Sequence, residues 1–362
     1  MVLGSAAAHP GKAIGRGARR RRDRPNIREV AAAAGVSISA ASLALNGKPG
    51  VSAAKRARVL QKVQELGYVR SGASAPTGTQ VLGVLMESLS IPAAHDRFYA
   101  EIVAGIEDAA QRLGYRLLLH LYRPGVDPID DIRALMGRDI EGLVIANGGD
   151  VTDELVARIA HGHTPLVLVE NYVADGVHAV IADNFTAGLE VTNYLLDLGH
   201  RRIGALPGPR KYKSLVDRLR GYTIALLERG VQPSTPLQPV PAPGQPRKGY
   251  FQMQQLLALG EPPTAVFAVS DKTAFGAMEA IKDAGLHIPD DISVAAIDDV
   301  YESPYTSPPL TTYHVPKRSL GEAAINTLHT LLRSPGAAPA AKIALTGHLV
   351  VRQSCAPPRP RA

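Results

Sequence analysis

Apolar positions along the chain follow two different rhythms. Between Asn26 and Tyr68 they recur at helical spacing, in short runs broken by turn residues. Ile27, Val30, Ala31 and Ala34 share one helical face. Asn26 is suited to cap that helix, with Glu29 at capping-box spacing, and Gly35 is suited to end it in a left-handed conformation. Ser37 can cap a second helix two residues later, so the two must meet at a steep angle. The second helix is expected to run to about Leu45 and stop at Asn46-Gly47. Ser52 caps a third, with an expected apolar stripe of Ala53, Ala57, Leu60, Val63 and Leu66, ended by Gly67.

From Gln80 the rhythm changes to short apolar runs alternating with amphipathic segments. Expected strands are Val81–Met86, Tyr115–Leu121, Gly142–Ala146, Pro165–Val169, His178–Ala182, Arg202–Leu206, Ala265–Val269 and Ile292–Ile297. Expected helices are Phe98–Leu113, a segment through Ile132–Met136, one after Asn184, Leu215–Arg229, Lys272–Ala284 and Lys317–Leu332. Strands alternating with helices predict parallel doubly wound sheets. Two such sets predict two lobes, with a ligand cleft at the C-terminal ends of the strands. The Pro-rich stretch Pro233–Pro246 reads as a surface loop around a short strand. The fold class is therefore α/β: an all-α helix-turn-helix head followed by a two-lobed core.

Charge separates the two parts. Residues 1–24 carry a net +6 and residues 25–70 a net +5; the whole chain is +7, which leaves −4 for everything after residue 70. A basic head on a mildly acidic body is the electrostatic footprint of a duplex-binding module, and such binding weakens with salt. The arginine-rich extension over 1–24 has the composition of a disordered segment. At 362 residues, with 45% hydrophobic and 20% charged residues, the chain has room for two or three globular domains. No apolar run is long enough to span a bilayer, and no signal-peptide core is evident. A cytoplasmic protein without membrane partners is expected. The single cysteine, Cys355, has no partner for an internal disulfide and reads as incidental.

The head resembles the LacI/GalR repressor family. The resemblance rests on Ile27–Ala31, Ala34–Ser37, Leu45–Ser52 (LNGKPGVS) and Glu65–Tyr68, in order and spacing. It implies that the second helix enters the major groove of operator DNA, presenting Ser37, Ile38, Ser39, Ala40, Ser42 and Leu43, with Asn46 and Tyr68 also DNA-facing. Lys55 and Arg58 are expected on phosphates. Leu43 replaces a frequent polar reading residue; it can contact a thymine methyl but cannot pair bidentately with guanine. Ala41 and Ala44 stand where larger side chains usually pack. The linker, residues 71–80, lacks the leucine that family members wedge into the minor groove, and Gly72, Pro76 and Gly78 oppose a helix there. Altered operator bending and a plain tether are both open readings.

The body resembles the same family and the related periplasmic sugar-binding proteins. The matching pieces include Phe98–Glu107, Asp183-Asn184, Gly199–Ile203, Arg218–Tyr222, Ile297–Asp299, Pro308–Thr312 and Leu349–Ser354. The resemblance implies lobe 1 from about 81–183 and 315–341, lobe 2 from about 184–314 and 342–356, and a tail over 357–362. Three crossovers would fall near Asp183, His314 and Lys342. It also implies an effector site of Phe98, Tyr99, Glu170, Arg218, Ser270 and Asp298. Carboxylates would accept hydroxyl or amine donors and the aromatic pair would cover an apolar face. Core packing for Phe98 and Tyr99, and a structural ion pair for Arg218, are competing readings. Phosphorylated ligands are disfavoured by the two carboxylates and the missing glycine-rich anion nest. The sugar-binding pattern is incomplete: Ser270 stands for Asn, Val216 for Arg, and Gly244 near an aromatic position.

Enzyme readings find no support. There is no Gly-x-Gly-x-x-Gly after a strand, no phosphate loop and no Gly-x-Ser-x-Gly, and Gly208–Ser214 lacks a second glycine. His161, His163 and His200 lack companions at ligand spacing, so neither a metal nor another cofactor is expected. The expected function is a homodimeric, DNA-binding transcription regulator, a repressor, answering to a small polar effector. A sensor with weakened operator recognition is the alternative; a transported solute-binding protein is a third reading. No leucine heptads follow Ser354, so a dimer rather than a tetramer is expected.

Overall fold

A computed structural model describes residues 27–45, 50–66, 80–88, 97–123, 125–146, 149–160, 164–172, 176–240, 247–334 and 339–359. Asn26, Asn46, Tyr68, the basic extension, most of the linker, His161, His163 and Gly244 lie outside these residues. The chain forms two compact units, Met1–Thr77 and Gly78–Ala362.

The first unit is the helical head: α1 (Ile27–Ala34), α2 (Ile38–Leu45) and α3 (Ala53–Leu66). Gly35 takes φ +62° after α1, and the chain bends by 101° into α2. The Ser37 hydroxyl accepts the Ala40 amide at 3.1 Å, which caps α2. Val30, Ala31, Ala34, Ala41, Ala44 and Val59 form the small core. The inward face of α3 differs from expectation. Val59 is buried and Val63 half-buried, whereas Ala53, Ala57, Leu60 and Leu66 are exposed. Two apolar stripes lie on this helix a short rotation apart, and the narrow alanine floor of α1 and α2 admits the β-branched one.

The second unit holds two sheets. The first contains β1 (Val81–Glu87), β2 (Arg116–Tyr122), β3 (Gly142–Ala146), β4 (Leu166–Val169), β5 (His178–Ala182) and β10 (Lys342–Leu345), in the order β10-β5-β4-β3-β1-β2, all parallel. Helices α4 (Arg97–Leu113) and α11 (Lys317–Arg333) pack together in the core cluster that includes Leu82, Val84 and Val144. Helices α5 (Ile129–Met136) and α6 (Asp153–Ala160) bury Ile132, Leu135, Leu155 and Val156 in a separate cluster with Leu85, Leu143 and Ile145. Inner strands such as β3 are buried throughout, as strands covered on both faces require.

The second sheet contains β6 (Ile203–Leu206), β7 (Ala265–Ala268), β8 (Ser293–Asp298), β9 (Thr311–His314) and β11 (His348–Val350), in the order β11-β9-β8-β7-β6. Only β11, at the edge, runs antiparallel. Helices α7 (Asn184–Asp197) and α8 (Lys213–Glu228) pack as one pair, and α9 (Lys248–Leu257) and α10 (Asp271–Asp283) as another. Both pairs cross backbone against backbone. A Cβ on Gly188 would lie 2.0 Å from the Arg218 carbonyl oxygen, and one on Gly249 would lie 2.0 Å from that of Thr273. Among the described residues, no single helix is long and apolar enough to cross a membrane.

Three segments join the lobes. The first is Asp183, whose carboxylate caps α7 by accepting the Thr186 amide at 3.1 Å. The second lies between His314 and Lys317. The third is Thr346-Gly347, not the neighbourhood of Lys342. Lys342–Leu345 pairs in register with Ala179–Ala182, so it completes the first sheet before the chain crosses. The Pro-rich stretch also differs: it holds a 3-10 turn at Thr235–Leu237 and no strand among its described residues. Helices α6 and α9 were not anticipated. Cys355 is packed; its thiol donates to the Val294 carbonyl at 3.1 Å, and burial pushes its pKa up to about 12.

Candidate functional site: a cleft between two lobes

The ends of β8 and β4 carry the polar floor of a cavity of about 460 Å³. All six residues expected at an effector site line it: Phe98, Tyr99, Glu170, Arg218, Ser270 and Asp298. They arrive from α4, the end of β4, α8, the start of α10 and the end of β8, hence from both lobes. This is the crevice that parallel sheets leave beyond their strand ends.

Arg218 organises the floor. Its Nε donates to Asn184 Oδ1 at 2.7 Å; one Nη donates to the Val269 carbonyl at 2.8 Å and to Asp298 Oδ1 at 2.7 Å. The guanidinium is 2% exposed, so this is a buried ion pair, with Nε and one Nη making its hydrogen bonds. The structural role and the site role that the sequence left open for Arg218 therefore coincide. Burial pushes the Asp298 carboxyl up to about 7, against the pull of Arg218; nearby Asp271 pushes the same way as burial. Glu170 is also raised by burial. Its two oxygens accept from the Ala182 amide at 2.5 Å and from the Asn184 side-chain amide at 3.3 Å.

Backbone strain collects here. Glu170 has φ +55°, Asp298 φ +142° and Asp299 φ +53°, a region that favours glycine. The buried ammonium of Lys317 holds the strained turn by donating to the carbonyls of Asp298 at 2.7 Å and Asp299 at 2.9 Å. Beside it, Asp271 accepts from the Val300 amide and from Ser303 and Thr312 hydroxyls. Ser270 caps α10, its hydroxyl accepting the Thr273 amide at 3.3 Å. Phe98 and Tyr99 meet edge to face with centroids 5.1 Å apart. Phe98 belongs to a hydrophobic core cluster while bordering the cavity, so neither of its competing readings excludes the other.

Several lining residues were missed from sequence: Arg97, Tyr212, Lys248, Lys272, Phe275 and Glu302 among them. Tyr212 belongs to a cross-lobe contact. The Glu87 carboxylate, at the end of β1, accepts from Lys211 Nζ at 2.7 Å and from the Tyr212 hydroxyl at 3.0 and 3.1 Å. Lys211 also donates to Asp150 at 3.0 Å, and Tyr172 donates to Asp217 at 2.8 Å. Burial would lower the Lys211 pKa, but Glu87 and Asp150 raise it overall; burial, then Glu87, raises that of Tyr212. These contacts hold the two lobes together over the cavity. Pairings this distant in sequence leave no local pattern.

In the head, Ile38 and Ser39 are exposed on α2, and Ala40, Ser42 and Leu43 are half-buried. Ser37 is exposed but its hydroxyl is engaged as the cap. Lys55 and Arg58 are exposed on α3.

Comparison with known proteins gives matches to both units. Residues 26–71 match the family described as bacterial regulatory proteins, lacI family, and residues 192–355 match the periplasmic binding protein-like domain. The transcriptional repressor PurR of Pasteurella multocida is 31% identical over 334 residues, covering 91% of this chain and 98% of that protein. The ribose operon repressor of Haemophilus influenzae is 31% identical over 314 residues, covering 85% and 92%. Among solved structures, the transcriptional regulator CelR in complex with cellobiose superposes with a TM-score of 0.71 at 27% identity, covering 91% of this chain and all of that one. The lac repressor dimer bound to operator superposes at 0.68 and 26%, covering 92% and 100%.

Proposed function

Because the chain belongs to the lacI family of bacterial regulatory proteins, we propose that it is a repressor whose grip on a specific operator is set by a small polar molecule held between the lobes. The observation that carries this reading is the cleft itself. Residues from both lobes line it, and Glu87, Lys211 and Tyr212 link the lobes over it. A ligand that touches both walls binds the closed body better than the open one, and only such differential binding can shift a two-state equilibrium. The effector residues are Phe98, Tyr99, Glu170, Arg218, Ser270 and Asp298, with Asp298 and Glu170 as acceptors. Cellobiose in the CelR structure supports a sugar-like ligand class.

On DNA, the exposed α2 residues Ile38 and Ser39 read bases, while Lys55 and Arg58 neutralise phosphates. The working unit is a homodimer on a two-fold site, as supported by the lac repressor dimer on its operator. Leu119 and Leu121, exposed on the edge strand β2, offer apolar surface for a second copy. The lobes divide near Asp183, between His314 and Lys317, and at Thr346-Gly347. Regulation rather than catalysis is the proposed role, inside the cell.

The test is selection from random duplexes with the full-length protein. A palindromic consensus is expected, with base preference shifted by replacing Ser39 and all sequences weakened alike by replacing Lys55 or Arg58. Recovery of salt-sensitive binding without a consensus would defeat the repressor reading in favour of a sensor with weakened operator recognition.

A further inference from the structure

Charge in the cleft does not balance. Asp298 is paired with Arg218 at 2.7 Å, and Glu302 with Arg97 at 3.5 Å. Glu170 spends both oxygens on neutral donors. Lys248 and Lys272 also line the cavity, and among the described residues neither has a hydrogen bond or a salt bridge. Their neighbour Arg247 is turned away: it pairs with Glu279 at 2.5 Å and stacks on Tyr250.

The two lysines meet because two helices touch. Lys248 opens α9 and Lys272 is the second residue of α10. The helices cross near their starts, with Gly249 against the Thr273 carbonyl and Gly276 against the Tyr250 amide nitrogen, where a Cβ would lie 2.8 Å away. Each lysine stands one residue before the Gly249–Thr273 contact, and both line the cavity. Burial, then the charge of Lys272, lowers the Lys248 pKa to about 8 against the opposing pull of Asp298. Asp298 is already engaged by Arg218 at 2.7 Å, so an anion at this wall would offset a repulsion that Asp298 alone does not cancel.

We propose that Lys248 and Lys272 form an anion subsite in the cleft, so that the effector is a small polyhydroxylated molecule carrying a carboxylate or phosphate group. This rests on the cleft being the effector site. It reverses the sequence argument against charged ligands, which counted Asp298 and Glu170 as free negative charges. The polyol part would face Asp298 and the aromatic pair, and the anionic group would lie towards α9 and α10.

The test uses the full-length protein and matched ligand pairs: glucuronate and glucose 6-phosphate against glucose, gluconate against glucitol, and AMP against adenosine. The carboxylate and phosphate arms separate the two sources of charge. Calorimetry should show an anion binding roughly tenfold or more tightly than its neutral counterpart. K248Q and K272Q should each remove about that factor for the anion and change the affinity of the neutral partner far less. A second readout is acylation of Lys248 by acetic anhydride, followed by peptide mass; a binding anion, inorganic phosphate included, should protect it. Equal affinity for neutral and anionic partners, anion affinity unmoved by both lysine substitutions, or no protection by any anion would each overturn the subsite. A neutral ligand that binds and controls DNA affinity regardless of the lysines would keep the effector reading and defeat this one. Lysine-dependent anion binding that leaves operator affinity unchanged would do the reverse.

Discussion

Glu87→Gln tests whether the lobes are held by the contact at the cleft's rim. The Glu87 side chain is fully buried and accepts from Lys211 at 2.7 Å and from Tyr212 at 3.0 and 3.1 Å. Glutamine keeps the size but replaces a charge-assisted acceptor with a neutral one and points an amide donor at two other donors. A hydrogen bond to a charged group contributes about 1.5–3 kcal/mol and a neutral one about 0.5–1.5, so the loss is about 1–2 kcal/mol. Lys211 retains Asp150 at 3.0 Å, which keeps the figure below what breaking a buried pair outright costs. With the lobes apart, Glu87 and Lys211 are hydrated separately and the substitution matters little. The loss therefore falls on the closed body, and shifts the closed-to-open ratio by about 5- to 30-fold. Hydrogen exchange should quicken over residues 81–88 and 207–213, and small-angle scattering should show a more extended body. Effector affinity should fall by up to the same factor. In a double-mutant cycle with Lys211→Met, a coupling of about 1 kcal/mol or more is expected. Unchanged exchange in both segments together with a coupling near zero would refute the reasoning.

Ser37→Ala removes the cap of α2 and should cost the head about 1 kcal/mol, read as earlier melting of its helical signal; an unchanged transition would mean the Ser37–Ala40 bond is inconsequential. Arg218→Met leaves Asp298, Asn184 and the Val269 carbonyl without their donor, and should destabilise the body by about 3–5 kcal/mol; a melting temperature within a degree of wild type would contradict a buried ion pair that matters to stability. Binding of an anion should weaken as pH rises from about 6 to 9. Lys248 loses its proton near 8, and Asp298, whose charge acts on it, gains negative charge near 7, so both changes disfavour an anion. Calorimetry across that range, giving a flat profile for an anion, would count against Lys248 as its partner. The same lowered Lys248 should make the ligand-free body gain stability between about 8 and its unfolded value near 10.4, because the folded state sheds that proton first.

Much of the architecture was legible because it is written in local periodicity. Runs such as Gly142–Ala146 are buried on both faces and read directly as inner strands. Ser37 and Gly35 announce a cap and a turn by residue type alone. The errors arose where a local pattern admits two answers. Helix α3 offers two apolar stripes, and only the alanine floor beneath it selects Val59 over Leu60. Lys342–Leu345 alternates exposed and half-buried positions, which suits an edge strand of either sheet; its partner Ala179–Ala182 lies far away in sequence.

The site divides along the same line. Residues at strand ends, Asp298 and Glu170 above all, could be placed because the ends of parallel strands are where such folds bind ligands. Their charge state could not, because it depends on Arg218, Asn184 and the Ala182 amide, which fold in from elsewhere. Lys248 was invisible for the opposite reason: it follows a Pro-rich stretch and starts a helix whose apolar face is short, so nothing local marks it as a wall of the cleft. It is the backbone contact between Gly249 and Thr273 that brings it beside Lys272. The same contact makes the two lysines a joint property of α9 and α10. A ligand neutralising both would bind that corner as one rigid piece of the second lobe, and Asp298 at the adjacent strand end would register its arrival through the pair with Arg218, which reaches Asn184 at the first crossover. Binding charge and lobe position are thus connected through contacts each under 3 Å, which is the physical link an effector needs in order to be felt beyond its own pocket.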